Sequence, residues 1–164
     1  MPPDTPRPRL QASLSHVLNL QDEVVARPGF PAVDLFKGGA IGFGGGGTRH
    51  SIDASANLSD REVGVRVNAT WRGASRLNIG SEEGADQLRF SPLTIVNVRT
   101  FADLSQLWTG RAFLKDLRVS LGVLNLFNQR QRVLDAAGVT PLRYQPGYRD
   151  AIGRTVELEI RKTL

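Results

Sequence analysis

Residues 154–164 read R-T-V-E-L-E-I-R-K-T-L, with Val156, Leu158, Ile160 and Leu164 on one parity and Thr155, Glu157, Glu159, Arg161 and Thr163 on the other. A side-chain period of two sends alternate residues to opposite faces of a strand, so this stretch is a strand with one apolar and one charged face. Its eleven residues, at about 3.4 Å each and a tilt of about 45°, would cover an apolar band about 25 Å tall, the height of a membrane-barrel strand.

The same alternation recurs upstream. From Arg9 to Leu20, Leu10, Ala12, Leu14, His16, Leu18 and Leu20 oppose Arg9, Gln11, Ser13, Ser15 and Asn19, with Val17 the exception. Thr48 to Leu58 sets Ile52, Ala54, Ala56 and Leu58 against Arg49, Ser51, Asp53, Ser55 and Asn57. In the next strand Val63, Val65, Val67, Ala69 and Trp71 oppose Glu62, Gly64, Arg66, Asn68, Thr70 and Arg72. Leu88 to Phe101 is a less regular fourth strand, in which Pro92 calls for an edge or a bulge because it has no N–H to give to a ladder. Leu117 to Phe127 is the fifth.

The connections differ sharply in length. Segments 21–47, 73–87 and 128–153 are long and rich in turn residues, Ser59-Asp60 reads as a tight hairpin turn, and 102–116 is intermediate. Residues 1–8 hold four prolines and read as an irregular lead-in to a single unit over 9–164. Antiparallel strands alternate direction, so all three long loops fall at one end of the sheet, as in outer-membrane barrels. Trp71, Phe90 and Phe127 lie on the apolar parity at that end, where an interfacial girdle is expected. The competing architecture is a soluble β-sandwich binding module with the apolar parity as its core, but sandwich strands usually run about 5–6 residues. A small self-closing or oligomeric barrel is a third arrangement. The expected fold is all-β: about six long amphipathic antiparallel strands forming a segment of a transmembrane β-barrel.

Composition limits function. The chain has 164 residues, no cysteine, 17 glycines and a net charge of +5 from 18 arginines and 3 lysines against 16 acids. Its arginines are spread along the chain without an aromatic-rich binding motif, which argues against nucleic acid. No apolar run of about 18 residues is present, so no membrane helix is expected, and the first residues lack the apolar core of a signal peptide.

No motif points to catalysis. Glu157 and Glu159 share one strand face but read as neighbouring acids of a polar barrel lumen rather than a catalytic pair. His16 and His50 are the only imidazoles and too few for a zinc site. Gly38 to Gly47 leads into Thr48-Arg49-His50 and a strand, not into Lys-Ser/Thr and a helix, so it is not a phosphate loop. Ser81-Glu82-Glu83 and Asp86 read as solvated loop acids in preference to a weak cation site. The chain is expected to be no enzyme, with no catalytic residue, metal or cofactor. Tyr144 and Tyr148, in the third long loop, are candidates for ligand contact at the outer face, or for packing that loop on itself. Arg49, Arg66, Arg89, Arg99, Arg118 and Arg161 face the polar side, where they would suit a path for an anion.

Arg118 to Asn128, R-V-S-L-G-V-L-N-L-F-N, followed by Tyr148-Arg149-Asp150 and Gly153-Arg154 before the last strand, resembles the C-terminal end of TonB-dependent outer-membrane receptors. Arg49-His50 after a glycine-rich loop, Trp71, and Leu88-Arg89-Phe90-Ser91-Pro92-Leu93 extend the likeness more loosely. The resemblance implies the C-terminal part of a barrel of about 22 strands around a plug domain. It implies that the wall carrying the polar-side arginines holds that plug by polar contacts instead of lining an anion path. It also implies uptake of a scarce ligand of the ferric siderophore, cobalamin or glycan class, driven through the TonB energy-coupling complex. Location in the bacterial outer membrane, among its lipids, and insertion by the barrel-assembly machinery follow from the same likeness. The chain departs from the pattern in holding six strands without plug, TonB-contacting box or signal sequence, and in ending on Leu164 where such barrels carry an aromatic. It is therefore expected to be a fragment that does not transport alone.

Overall fold

The structure, a computed structural model, describes residues 8–25, 27–39, 46–79, 87–104, 112–149 and 152–163. Six long strands form one sheet: β1 (Arg9–Leu18), β4 (His50–Asp60), β5 (Val63–Arg72), β8 (Leu93–Asp103), β9 (Leu117–Leu124) and β11 (Thr155–Lys162), hydrogen-bonded in that order. Every pairing is antiparallel, and each long strand lies beside the next one in the chain. The sheet is open, with β1 and β11 as its two edges.

Register carries the alternation from strand to strand. Leu10 faces Leu58, Leu58 faces Val65, Val65 faces Thr100, Thr100 faces Leu121 and Leu121 faces Leu158. These residues share one side of the sheet with Leu14, Ala54, Val67, Val98, Val119 and Ile160, as side-chain alternation requires. That side is uncovered: Leu14 is 76% exposed and Leu158 65%. The opposite side carries Gln11, Ser55, Arg66, Arg99, Ser120 and Glu159.

The buried core lies elsewhere, in the long loops. The first loop contains β2 (Glu23–Val24), β3 (Val33–Asp34) and a 3-10 turn at Leu35–Lys37. Asp34 caps that turn by accepting the Phe36 N–H at 2.8 Å. The second loop holds β6 (Ser75–Asn78) and β7 (Gln87–Phe90), and the third supplies β10 (Val133–Leu134), which joins them in a sheet of order β10-β7-β6. Leu77, Leu88, Phe90 and Val133 form its core, with Leu88 only 1% exposed. The glycine-rich run serves this packing: Gly38, at φ 99, accepts the Asn78 N–H at 2.8 Å, and Gly46 presses on the Arg76 carbonyl where any Cβ would clash.

Four sequence expectations are corrected. Leu88 to Phe101 is two strands, because Pro92 offers no N–H and Ser91 is taken by the third loop: its N–H donates to Arg132 O at 2.8 Å and its Oγ accepts the Arg132 N–H at 2.9 Å. Phe90 is consequently buried in the loop core and does not join a girdle on the large sheet, whereas Trp71 stays on the apolar face beside Ile52 and Thr94. β9 stops at Leu124, since Asn125 turns the chain at φ 51, and Phe127 lies beyond the strand. The hairpin turn is Arg61-Glu62, not Ser59-Asp60, as Asp60 still pairs with Val63. In the intermediate connection, β8 runs on to Asp103 and Ala112–Leu114 is a 3-10 turn; residues 105–111 lie outside the described residues, as do 81–86 with their loop acids and 1–7 of the lead-in.

Candidate ligand-binding site

The polar side of the sheet holds a cross-strand ion network. Arg99 on β8 pairs through Nη2 with Glu157 at 2.9 Å and through Nη1 with Glu159 at 3.3 Å, although β9 lies between them. It reaches over Gly122, which stands beside both Arg99 and Glu157 and has no side chain to block the span. Arg161 Nη2 completes the chain on Glu159 at 2.9 Å. Both glutamates are thus bound to guanidinium groups in one network. Arg66, opposite Arg99, and Arg118, over the Phe101 ring at 5.8 Å, complete the wall of a hollow of about 380 Å³.

His16 and His50 are brought together on the apolar face, with Nε2 and Nδ1 3.1 Å apart and rings parallel to within 1°. One nitrogen donates and the other accepts. Among the described residues no third His, Cys, Asp or Glu joins them in a metal-binding group.

The two tyrosines separate. Tyr144 packs edge-on against Phe90 with centroids 5.7 Å apart, and Arg149 lies over both rings, at 5.0 Å from Phe90 and 5.7 Å from Tyr144. It joins the loop core. Tyr148 is 72% exposed on a single helical turn, Pro146–Arg149, and is open to contact from outside.

The second hollow lies at the loop end, between the first and second long loops, with a volume of about 530 Å³. Phe36, Arg49, His50, Arg76, Gln87 and Arg89 contribute to its wall. Arg76 and Arg89 stand directly opposite each other on β6 and β7, and neither forms an ion pair among the described residues. Their positions follow from alternation: Leu77 and Leu88 point into the core, so Arg76 and Arg89 point away from it. Arg49 lies over the Phe36 ring at 4.7 Å from its centroid, a cation–π contact that leaves its N–H edges free to bond outward. Alternation assigns Arg49 and Arg89 to the polar face of long strands, whereas Arg49 lies just before β4 and Arg89 on β7 of the loop sheet; Arg76 belongs to a segment with no periodicity of its own.

No protein-family model matches this chain, and no match was found among curated proteins or solved structures.

Proposed function

We propose that this chain is the C-terminal part of the barrel of an outer-membrane TonB-dependent receptor, supplying six strands and three external loops to the uptake of a scarce ligand. The observation that carries this reading is the continuous apolar side of the six-stranded sheet, uncovered while the opposite side is polar and ion-paired. A soluble sandwich would lay another layer on Leu14, Leu58 and Leu158, yet these remain exposed. Lipid acyl chains are the natural cover for such a side, with the ion network facing the lumen.

The open edges at β1 and β11 call for neighbouring strands, since unpaired backbone groups are not tolerated in hydrocarbon. Transport then requires the remaining strands, a plug and the TonB complex, and insertion uses the barrel-assembly machinery. The role is transport of ferric siderophore, cobalamin or glycan-class cargo, without catalysis. Expression behind an export signal tests this: the protein should sediment with outer membranes and change gel mobility on boiling. A chain that stays soluble and monomeric without detergent would overturn the reading and favour the sandwich.

A further inference from the structure

We infer that the loop-end hollow between Arg49, Arg76 and Arg89 binds a small multivalent anion, a molecule bearing two or more carboxylate or phosphate groups. The inference narrows the cargo class of the uptake reading and rests on that reading only in calling the anion cargo; the binding itself stands on the geometry of the hollow.

Three features converge. First, Arg76 and Arg89 face each other across β6 and β7 as direct register partners, where like charges repel unless something negative lies between or above them. Elsewhere in this protein, opposed arginines are relieved internally. Arg99 stands opposite Arg66 but turns to Glu157 and Glu159, and Arg161 stands opposite Arg118 but turns to Glu159. Arg76 and Arg89 have no carboxylate within ion-pair distance among the described residues.

Second, the backbone that carries the pair is held in place. Leu77, Leu88, Phe90 and Val133 bury the other side of the ribbon, and Asn78 ties its end to the first loop through Gly38 O at 2.8 Å and Lys37 O at 3.1 Å. Two guanidinium forks projected from one side of a packed ribbon offer an anion paired donors.

Third, Arg49 approaches from the first loop, so donors reach the hollow from two separate segments. Asp22, whose carboxylate lies against Gly47 at the rim, offsets one charge of the three. Gln87 adds an amide to the wall, and the volume of about 530 Å³ lies within the range of small-molecule sites. A neutral ligand would leave the opposed arginines unrelieved.

The test is calorimetric titration of the full chain, in whichever medium it folds, with citrate and with inorganic pyrophosphate; trimethyl citrate serves as the neutral control. At least one anion should bind, weaken as salt is raised, and lose about tenfold or more in affinity in the double variant R76Q/R89Q, while trimethyl citrate gives no heat. Binding by neither anion overturns the inference. So does binding unchanged in R76Q/R89Q, or lost instead in R66Q/R118Q, which would move it to the hollow on the large sheet. Should R76Q/R89Q lose its β-sheet circular dichroism, R49Q, altered on the other loop, carries the same expectation of weakened binding and the same power to overturn it. Outer-membrane sedimentation without anion binding would remove this inference alone. Anion binding by a chain that needs no detergent would remove the uptake reading and leave the site.

Discussion

The side-chain oxygen of Asn128 accepts the backbone N–H of Arg154 at 3.1 Å, so the turn that ends β9 also fixes where β11 begins. Asn125 builds that turn: its side chain donates to Gln129 O at 2.9 Å and accepts the Gln129 N–H at 2.9 Å, from a left-handed backbone at φ 51. Gly153, at φ 60, lies so close to Asn128 Oδ1 that a Cβ would stand 2.6 Å from it. Asn125-Leu126-Phe127-Asn128 and Gly153-Arg154 therefore belong to one corner. Asn125→Ala removes two part-buried side-chain bonds and places Ala in a left-handed conformation, a loss of about 2–4 kcal/mol. Asn125→Gly keeps the backbone freedom and should lose less. Urea unfolding midpoints read the order wild type, N125G, N125A; equal midpoints for wild type and N125A would refute the role given to this side chain.

A second prediction concerns Gly122. An added Cβ would sit 3.5 Å from Glu157 Oε2 and 3.7 Å from Arg99 Nε, ordinary contact distances. Gly122→Ala should thus be neutral or slightly stabilising, since a strand alanine gives up less backbone freedom than glycine, by about 0.5–1 kcal/mol. Gly122→Leu would stand under the Arg99 guanidinium and part it from Glu157. Both partners are 44% exposed, so the lost pair is worth at most about 1 kcal/mol. The signature is a fall in stability for G122L, relative to G122A, that shrinks in 1 M salt. A difference indifferent to salt would mean that packing, not the ion pair, is at stake.

Phe101 covers a second glycine. Its ring lies over Gly64, its register partner, so closely that any Cβ there would collide with it. The ring shields backbone that glycine leaves bare. Gly64→Val should destabilise by about 1–3 kcal/mol through this overlap. In the double variant G64V/F101A the valine occupies the vacated space, so the two losses should fall short of additivity by about 1 kcal/mol. Strict additivity in the double-mutant cycle would show that the two residues do not share this space.

Sequence period placed five of the six long strands and their faces, because each of these repeats the alternation along most of its length; in the fourth, Leu93, Ile95 and Phe101 break it, and residues 88–90, continuous with it in sequence, belong to a strand of another sheet. What it missed has a common cause. Ser75–Asn78 and Val133–Leu134 are too short to show a period, and the pairing of Val133–Leu134 with Gln87–Phe90 joins segments far apart in the chain. Phe90 fitted the apolar parity, yet parity does not say which sheet a residue joins. The site inherits the same limit: alternation marks Arg49 and Arg89 as polar-facing but puts Arg89 on the wrong sheet, and Arg76 gains meaning only from its pairing with Arg89.

Tyr144 and Tyr148 should respond differently to truncation. Tyr144→Ala removes the edge-on contact with Phe90 and the ring beneath Arg149, loosening the third loop from the core. Limited proteolysis between residues 128 and 149 should accelerate several-fold. Tyr148→Ala leaves that core intact and should be cleaved at the wild-type rate. Equal acceleration in both variants would place Tyr148 in the packing as well.

The last prediction distinguishes the environments of the large sheet. Leu158, in the middle of β11, faces Leu121 on the apolar side and is 65% exposed. In water, replacing an exposed leucine by arginine changes stability by no more than about 0.5 kcal/mol. In a bilayer the same change near the midplane costs about 2–4 kcal/mol, because the guanidinium must leave water or drag it inward. Glu159→Arg is the control on the opposite face. It breaks the contacts with Arg99 and Arg161, but these are solvent-accessible and weak in either medium. The uptake reading therefore predicts that, after refolding into lipid vesicles, L158R unfolds at distinctly lower urea than E159R. If L158R were the milder change, Leu158 would be facing water and the apolar side would not be the lipid side.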